Sequence, residues 1–312
     1  MNQIPAYLKK LANNSWLRNG LALLLLALML GTLVWYHQEL GEALSQANWG
    51  WLSLGLLTNL IASLVYVSTW DSCARQLRAT GGWRGALVAL SVAGAARYVP
   101  GGIWPIAGLV YYGPEVGLPR KQMPWLAALA QLIHLLAAGL VAVVCLLVIL
   151  LIGLAGHSEL FSSVGAAGLA FTMGLAFLFL LPRYIQPLLK LSFSLQNPLN
   201  LLYPALYSAG FWLLNGLRLW FLALAFAPSG PELLLYLTWT GAVTTILAAF
   251  FFFVPLGLGV VEASLAWWLT AIMPWPQVLA VVALNRLVRT LNDLFYFALT
   301  LLLLKVKSRR SK

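Results

Sequence analysis

Charge is what this chain has least of. Of 312 residues, 9% are Asp, Glu, Lys or Arg, against about 25% in an ordinary soluble domain. So small a charged fraction leaves too little polar surface to wrap a water-facing globule. Two cysteines, Cys73 and Cys145, give no basis for a disulfide framework, because one lies in a basic loop and the other deep in an apolar run. Three widely separated histidines make a poor metal or acid–base set. The sequence has no Gly-x-Ser-x-Gly elbow, no His-Glu-x-x-His, no Cys-x-x-Cys and no Gly-x-x-x-x-Gly-Lys-Ser/Thr loop. Hydrolytic, metal-dependent and ATP-driven chemistry within the chain are therefore not expected. Neither a catalytic residue nor a cofactor is assigned.

Apolar sequence is what the chain has in abundance: 62% of residues are hydrophobic and the mean hydropathy is +0.87. Six long apolar stretches, at 20–36, 50–70, 125–153, 163–181, 204–226 and 277–304, meet or approach the roughly 20 residues that cross a hydrocarbon layer. Two more, 85–112 and 233–272, are as apolar but interrupted by proline and glycine. The expected fold is an all-α membrane protein: six full transmembrane helices plus two Pro/Gly-broken segments, each a re-entrant hairpin or a helix pair. One polytopic membrane domain occupies 1–312. The first span follows Lys9, Lys10 and Arg18 and leads into Trp35 and Tyr36, which reads as a retained signal anchor.

The net charge of +11 does not point to nucleic acid, since the basic residues flank apolar spans, where they set orientation and meet anionic lipid. If each broken segment crosses an even number of times, all fifteen loop Lys and Arg residues fall on one face, while Glu39, Glu42, Glu159 and Glu232 occupy the other. A single crossing per broken segment splits the basic residues eleven to four. The first arrangement places both termini in the cytoplasm of a multi-pass inner-membrane protein.

A shift of 155 residues lays the two broken segments over one another. Val99-Pro100-Gly101-Gly102-Ile103 falls on Val254-Pro255-Leu256-Gly257-Leu258, and Gln131 and His134 fall on Arg286 and Arg289. Two halves, 1–157 and 158–312, are expected, the second inserted upside down. Two unrelated kinked helices are the alternative. In transporters built from inverted repeats, paired interrupted segments mark a midplane binding site. The backbone groups freed at Pro100, Gly101, Gly102, Pro255, Gly257 and Gly259 must be buried in protein or line a wet cavity.

A charge at the centre of a spanning helix costs about 2.5–3.5 kcal/mol on insertion scales. The last span nonetheless carries Arg286, Arg289 and Asp293 beside Asn285 and Asn292, all within an arc of ~120° that Tyr296 joins. Leu284, Leu287, Val288, Leu291 and Phe295 form the opposite arc and are expected to face lipid. The polar stripe is either a basic wall that receives a lipid phosphate or a structural set of ion pairs, Arg289 with Asp293 and Arg286 with Glu262. Glu262 is a counter-ion or proton-coupling carboxylate, or it caps a half-helix. Arg97 attracts a head group or snorkels to the interface. Arg218 is a second candidate for the anion path, with Asn215 as glue between helices.

Two short motifs carry a family resemblance. Arg97-Tyr98-Val99-Pro100-Gly101-Gly102-Ile103-Trp104 and Pro255-Leu256-Gly257-Leu258-Gly259-Val260-Val261-Glu262-Ala263 resemble the transmembrane region of the lysylphosphatidylglycerol synthase family, which includes small stand-alone members. The resemblance implies movement of lipids between leaflets and singles out Arg97, Tyr98, Pro100, Gly101, Gly102, Pro255, Gly257, Gly259 and Glu262. Relatives often place an arginine just before the glutamate. Val261 stands there in this chain, so a local Arg–Glu pair must draw on another arginine. Sequence and resemblance together lead to a translocator for an anionic phospholipid or polyprenyl-phosphate lipid. The alternatives are a membrane-embedded transferase using a lipid-linked donor and a scaffold of an envelope-synthesis complex. Anionic lipids are the expected partners, with a second copy or an envelope-biosynthesis protein as further ones.

Overall fold

The computed structural model describes residues 41–42, 44–97, 104–154, 198–227, 230–250 and 259–310. The expected crossings at 20–36 and 163–181 lie outside these residues, as do Pro100, Gly101, Gly102, Pro255 and Gly257. The described residues are mostly helical and contain no strand. Helix α1 spans Trp49–Gln76, α2 Gly82–Ala96, α3 Trp104–Tyr111, α4 Gly113–Val116, α5 Met123–Leu154, α6 Leu202–Leu224, α7 Glu232–Phe250, α8 Val260–Leu269 and α9 Trp275–Arg310. Among the described residues, Trp49–Gln76, Arg120–Leu151 and Glu232–Phe250 are clearly long and apolar enough to cross a membrane. At 1.5 Å per residue, α3 and α8 extend only about 12 and 15 Å, half a bilayer or less.

Local chemistry sets the helix ends. Asn48 caps α1, its Oδ1 accepting from the backbone N–H groups of Gly50 at 2.9 Å and Trp51 at 3.4 Å. Gly259 opens α8 with φ +80°, a left-handed conformation that a Cβ would strain. Helix α1 continues through Gln76, past the 50–70 apolar stretch, so the basic loop expected to hold Cys73 shrinks to five residues, 77–81. Cys73 accordingly sits in a helix, fully buried, rather than in a loop. It and Cys145 are both free thiols.

Burial runs opposite to that of a soluble protein. Leu54, Leu57, Ile61 and Leu64 form an exposed stripe along α1, and Leu136, Leu140, Val144, Leu147 and Leu151 form another along α5. Thr58, Asn59, His134, Asn215, Arg218, Asn285 and Asn292 are buried. Apolar side chains outward and polar ones inward is the arrangement that lipid requires. Together with the spans, it makes the chain a multi-pass membrane protein.

Helices α1 and α6 pack along their length, and α7 lies against α5 and α6. Close contact depends on small residues. A Cβ at Gly55 of α1 would sit 3.3 Å from Leu222 of α6, and one at Gly210 of α6 would lie 3.8 Å from Val65 of α1. Two apolar cores result. One, around Trp212, Leu237 and Trp239, joins α5, α6, α7, α8 and α9; the other, around Cys73, Met123 and Leu126, joins α1 to α5.

Candidate functional site: a buried arginine cluster

Helix α9 brings its polar stripe to the interior between these helices. Asn285, Asn292 and Tyr296 are buried, Arg286, Arg289 and Asp293 are half-buried, and Leu287, Leu291 and Phe295 are exposed. Val288, expected on the lipid side, is instead buried in the first core. The helix presents more than half its circumference to protein, so one residue of the apolar arc is enclosed as well.

Four neighbouring helices hold the stripe. Toward α1, Ser63 Oγ donates to Asn292 Oδ1 at 2.9 Å and the Tyr296 hydroxyl donates to the Leu60 carbonyl at 2.8 Å. Toward α8, Arg286 Nη1 lies 3.3 Å from Glu262 Oε1. Toward α2, Asp293 Oδ2 lies 3.8 Å from Arg97 Nε, a charge contact too long for a strong hydrogen bond. Gly94 makes that approach possible, since a Cβ there would sit 3.3 Å from Asp293 Oδ1. Toward α6, Arg218 and Arg289 are close enough to repel one another.

Glu262 uses its two oxygens differently. One oxygen, Oε2, accepts from the Gly259 backbone N–H at 2.8 Å and closes the first turn of α8. The other receives Arg286. The local Arg–Glu pair thus draws its arginine from α9, while Val261 is buried beside it.

Arg218 is 1% exposed. It donates from Nη2 to Asn215 Oδ1 at 2.6 Å and from Nη1 to Asn59 Oδ1 at 3.3 Å. Its Nε has no hydrogen-bond acceptor, and among the described residues no carboxylate lies within ion-pair distance. Asn215 therefore serves Arg218 within α6, and Asn59 supplies the contact between helices. Asn59 was not singled out from sequence, although an amide in the middle of the 50–70 apolar stretch is a visible signal.

Arg289 lies at the centre of this constellation. Arg97, Glu262, Arg286 and Asp293 surround it within electrostatic range, and Arg218 approaches from α6. Among the described residues, no hydrogen bond or ion pair within 4.0 Å engages its guanidinium. Among the described residues, the two carboxylates pair with Arg97 and Arg286, which leaves Arg218 and Arg289 without a paired counter-charge. An anion with several oxygens is the chemical complement to such a site.

The positions aligned with these arginines are different in character. Gln131 is exposed on α5. His134 is buried among Tyr66, Phe211 and Trp212, with ring centroids 4.7 to 4.9 Å away, and its Nδ1 has no hydrogen-bond partner. Of the tryptophans near the ends of α1 and α8, Trp49 and Trp267 are exposed. Trp51 instead stacks on Phe221, and Trp268 packs against Trp239.

No curated protein and no solved structure matches the chain. A family profile, lysylphosphatidylglycerol synthase TM region, matches residues 16–295. The match runs through both motifs, through Arg286, Arg289 and Asp293 of α9 and through α1, α2, α6 and α8, and the chain belongs to that family.

Proposed function

We propose that this protein is an inner-membrane lipid translocator, with both termini cytoplasmic, that takes the phosphate of an anionic phospholipid or polyprenyl-phosphate lipid into the Arg289 cluster. The lack of a paired counter-charge at Arg218 and Arg289 among the described residues, with the Arg218 Nε left without an acceptor, carries this reading. Charges of this kind inside a bundle are stable only when paired or solvated. A phosphate that reaches Arg289, Arg286 and Arg218 supplies the missing counter-charge while the acyl chains remain in the bilayer. Arg97, half-exposed at the end of α2, is placed to meet the head group first.

An inverted repeat gives such a site access to both leaflets, and the helix register supports one. Adding 155 to the first residues of α1, α2, α3 and α5 gives 204, 237, 259 and 278; α6, α7, α8 and α9 start at 202, 232, 260 and 275. Packing exchanges in the same way. Helix α2 lies on α9 as α7 lies on α5, and α1 lies on α9 as α6 lies on α5. Exchange of this type is what a two-fold axis between halves produces. Rocking of one half against the other would then expose Arg289 alternately to each side.

Leaflet exchange in reconstituted vesicles tests the proposal. Labelled phosphatidylglycerol, phosphatidic acid and a polyprenyl phosphate should each be compared with phosphatidylcholine. Protection of the label should fall faster than in empty vesicles for at least one anionic lipid and not for phosphatidylcholine. No acceleration for any anionic lipid sinks the reading.

A further inference from the structure

A polar cavity lies away from the arginine cluster, where α1 ends, α2 begins and α6 starts. Its volume is about 490 Å³, within the range of small-molecule sites. Asp71, Gln76, Trp83, Asn200, Tyr203 and Tyr207 line it, together with Ser68, Ser72 and Arg75. The position is a membrane–water boundary, since it is the terminus of the α1 span.

The unmet hydrogen-bonding capacity of the cavity defines its ligand. Arg75 donates from Nε at 3.0 Å and Nη2 at 2.6 Å to the same Asp71 oxygen, Oδ2, so Asp71 Oδ1 remains an acceptor. Gln76 is 7% exposed and its Oε1 has no hydrogen-bond partner. A buried acceptor in this state seeks a donor. Trp83 is turned into the site, its Nε1 donating to Ser68 Oγ at 3.2 Å, and Tyr203 and Tyr207 expose their rings beside it. Charge then narrows the choice. Asp71 and Arg75 neutralise one another, so an anion gains no net attraction and meets two acceptors. A cation must compete with Arg75 for Asp71. An uncharged group with many hydroxyls, each able to donate and accept, meets neither obstacle, and its C–H faces suit aromatic rings.

We propose that this cavity binds a neutral polyol or glycosyl unit, presented by a lipid head group or by a free sugar. The site is independent of the anion reading and needs none of its arginines.

The test uses the full chain purified in detergent. It is equilibrated with equal amounts of glucosyl diacylglycerol, diacylglycerol, phosphatidylethanolamine and phosphatidic acid of matched acyl chains, and retained lipid is read by native mass spectrometry. The glucosyl lipid should be retained roughly tenfold over diacylglycerol, the difference one or two good hydrogen bonds make. Gln76→Leu and the surface variant Tyr207→Ala should each bring it down to the diacylglycerol level, while Arg289→Gln should leave it unchanged. Displacement by methyl glucoside assigns the site to the sugar alone; retention in its presence assigns it to the lipid-borne head. Equal retention of glucosyl lipid and diacylglycerol overturns the proposal. So does a preference for phosphatidic acid or phosphatidylethanolamine that Gln76→Leu abolishes, or indifference of glucosyl retention to both variants.

Discussion

Arg286 Nη1 stands 3.3 Å from Glu262 Oε1, while the second oxygen of the same carboxylate holds the first turn of α8 through Gly259. One side chain therefore couples α8 to the helix that carries Arg289. Glu262→Gln keeps an amide oxygen that can accept from Gly259 but leaves the half-buried Arg286 without its counter-charge. Glu262→Gln should destabilise the protein by about 3–5 kcal/mol, the range for breaking a buried pair by one partner. Glu262→Gln combined with Arg286→Gln should cost less than the Glu262→Gln single variant. Chemical denaturation in micelles, arranged as a double-mutant cycle, measures both, and strict additivity would contradict the pair.

Arg289→Gln should leave the melting temperature close to wild type, because no partner among the described residues loses an ion pair. Leaflet exchange of anionic lipid should fall roughly 10- to 100-fold, the equivalent of a charge-assisted hydrogen bond or two. A variant that transports at the wild-type rate removes Arg289 from the lipid path.

Arg218→Met separates stability from activity. Removal of an unpaired buried charge is favourable, but it leaves the Asn215 and Asn59 amide oxygens without their donor, at about 1–3 kcal/mol for each buried acceptor. The two effects oppose one another, so the variant should melt close to the wild-type temperature, yet retain less co-purified anionic lipid. Unchanged retention by mass spectrometry would show that Arg218 serves packing alone.

Gly94 governs how closely α2 meets α9. Gly94→Leu adds side-chain volume where even a Cβ already lies 3.3 Å from Asp293 Oδ1, and overpacking of this kind costs about 1–3 kcal/mol. Gly94→Ala requires a shift of a few tenths of an ångström and should be nearly silent. Cysteine pairs across α2 and α9 report the spacing: cross-linking should slow in the leucine variant and not in the alanine one.

The sequence made the polar stripe of α9 legible because an α-helix has a fixed period, and three charges within eight residues of apolar chain admit few placements. For the same reason α1, α5, α6 and α9 lie close to their expected apolar stretches. The partners were less legible. The Arg97–Asp293 contact joins positions 196 apart, and no periodicity within one helix encodes a neighbour on another. The Asp71–Arg75 pair was hidden by the extension of α1 past the apolar run, because polar residues continue a helix whose core-facing side still packs. Gly94 gave no sign either, since its role depends on what faces it.

The length of α9 has one more consequence. Its 36 residues extend about 54 Å at the usual rise, well beyond a hydrocarbon layer of about 30 Å. The rod that carries Arg289 therefore cannot be contained by the bilayer and continues past it as an unbroken lever. A grip on its protruding end, by a soluble factor or a tethered label, would be transmitted as a tilt to the guanidinium at its middle.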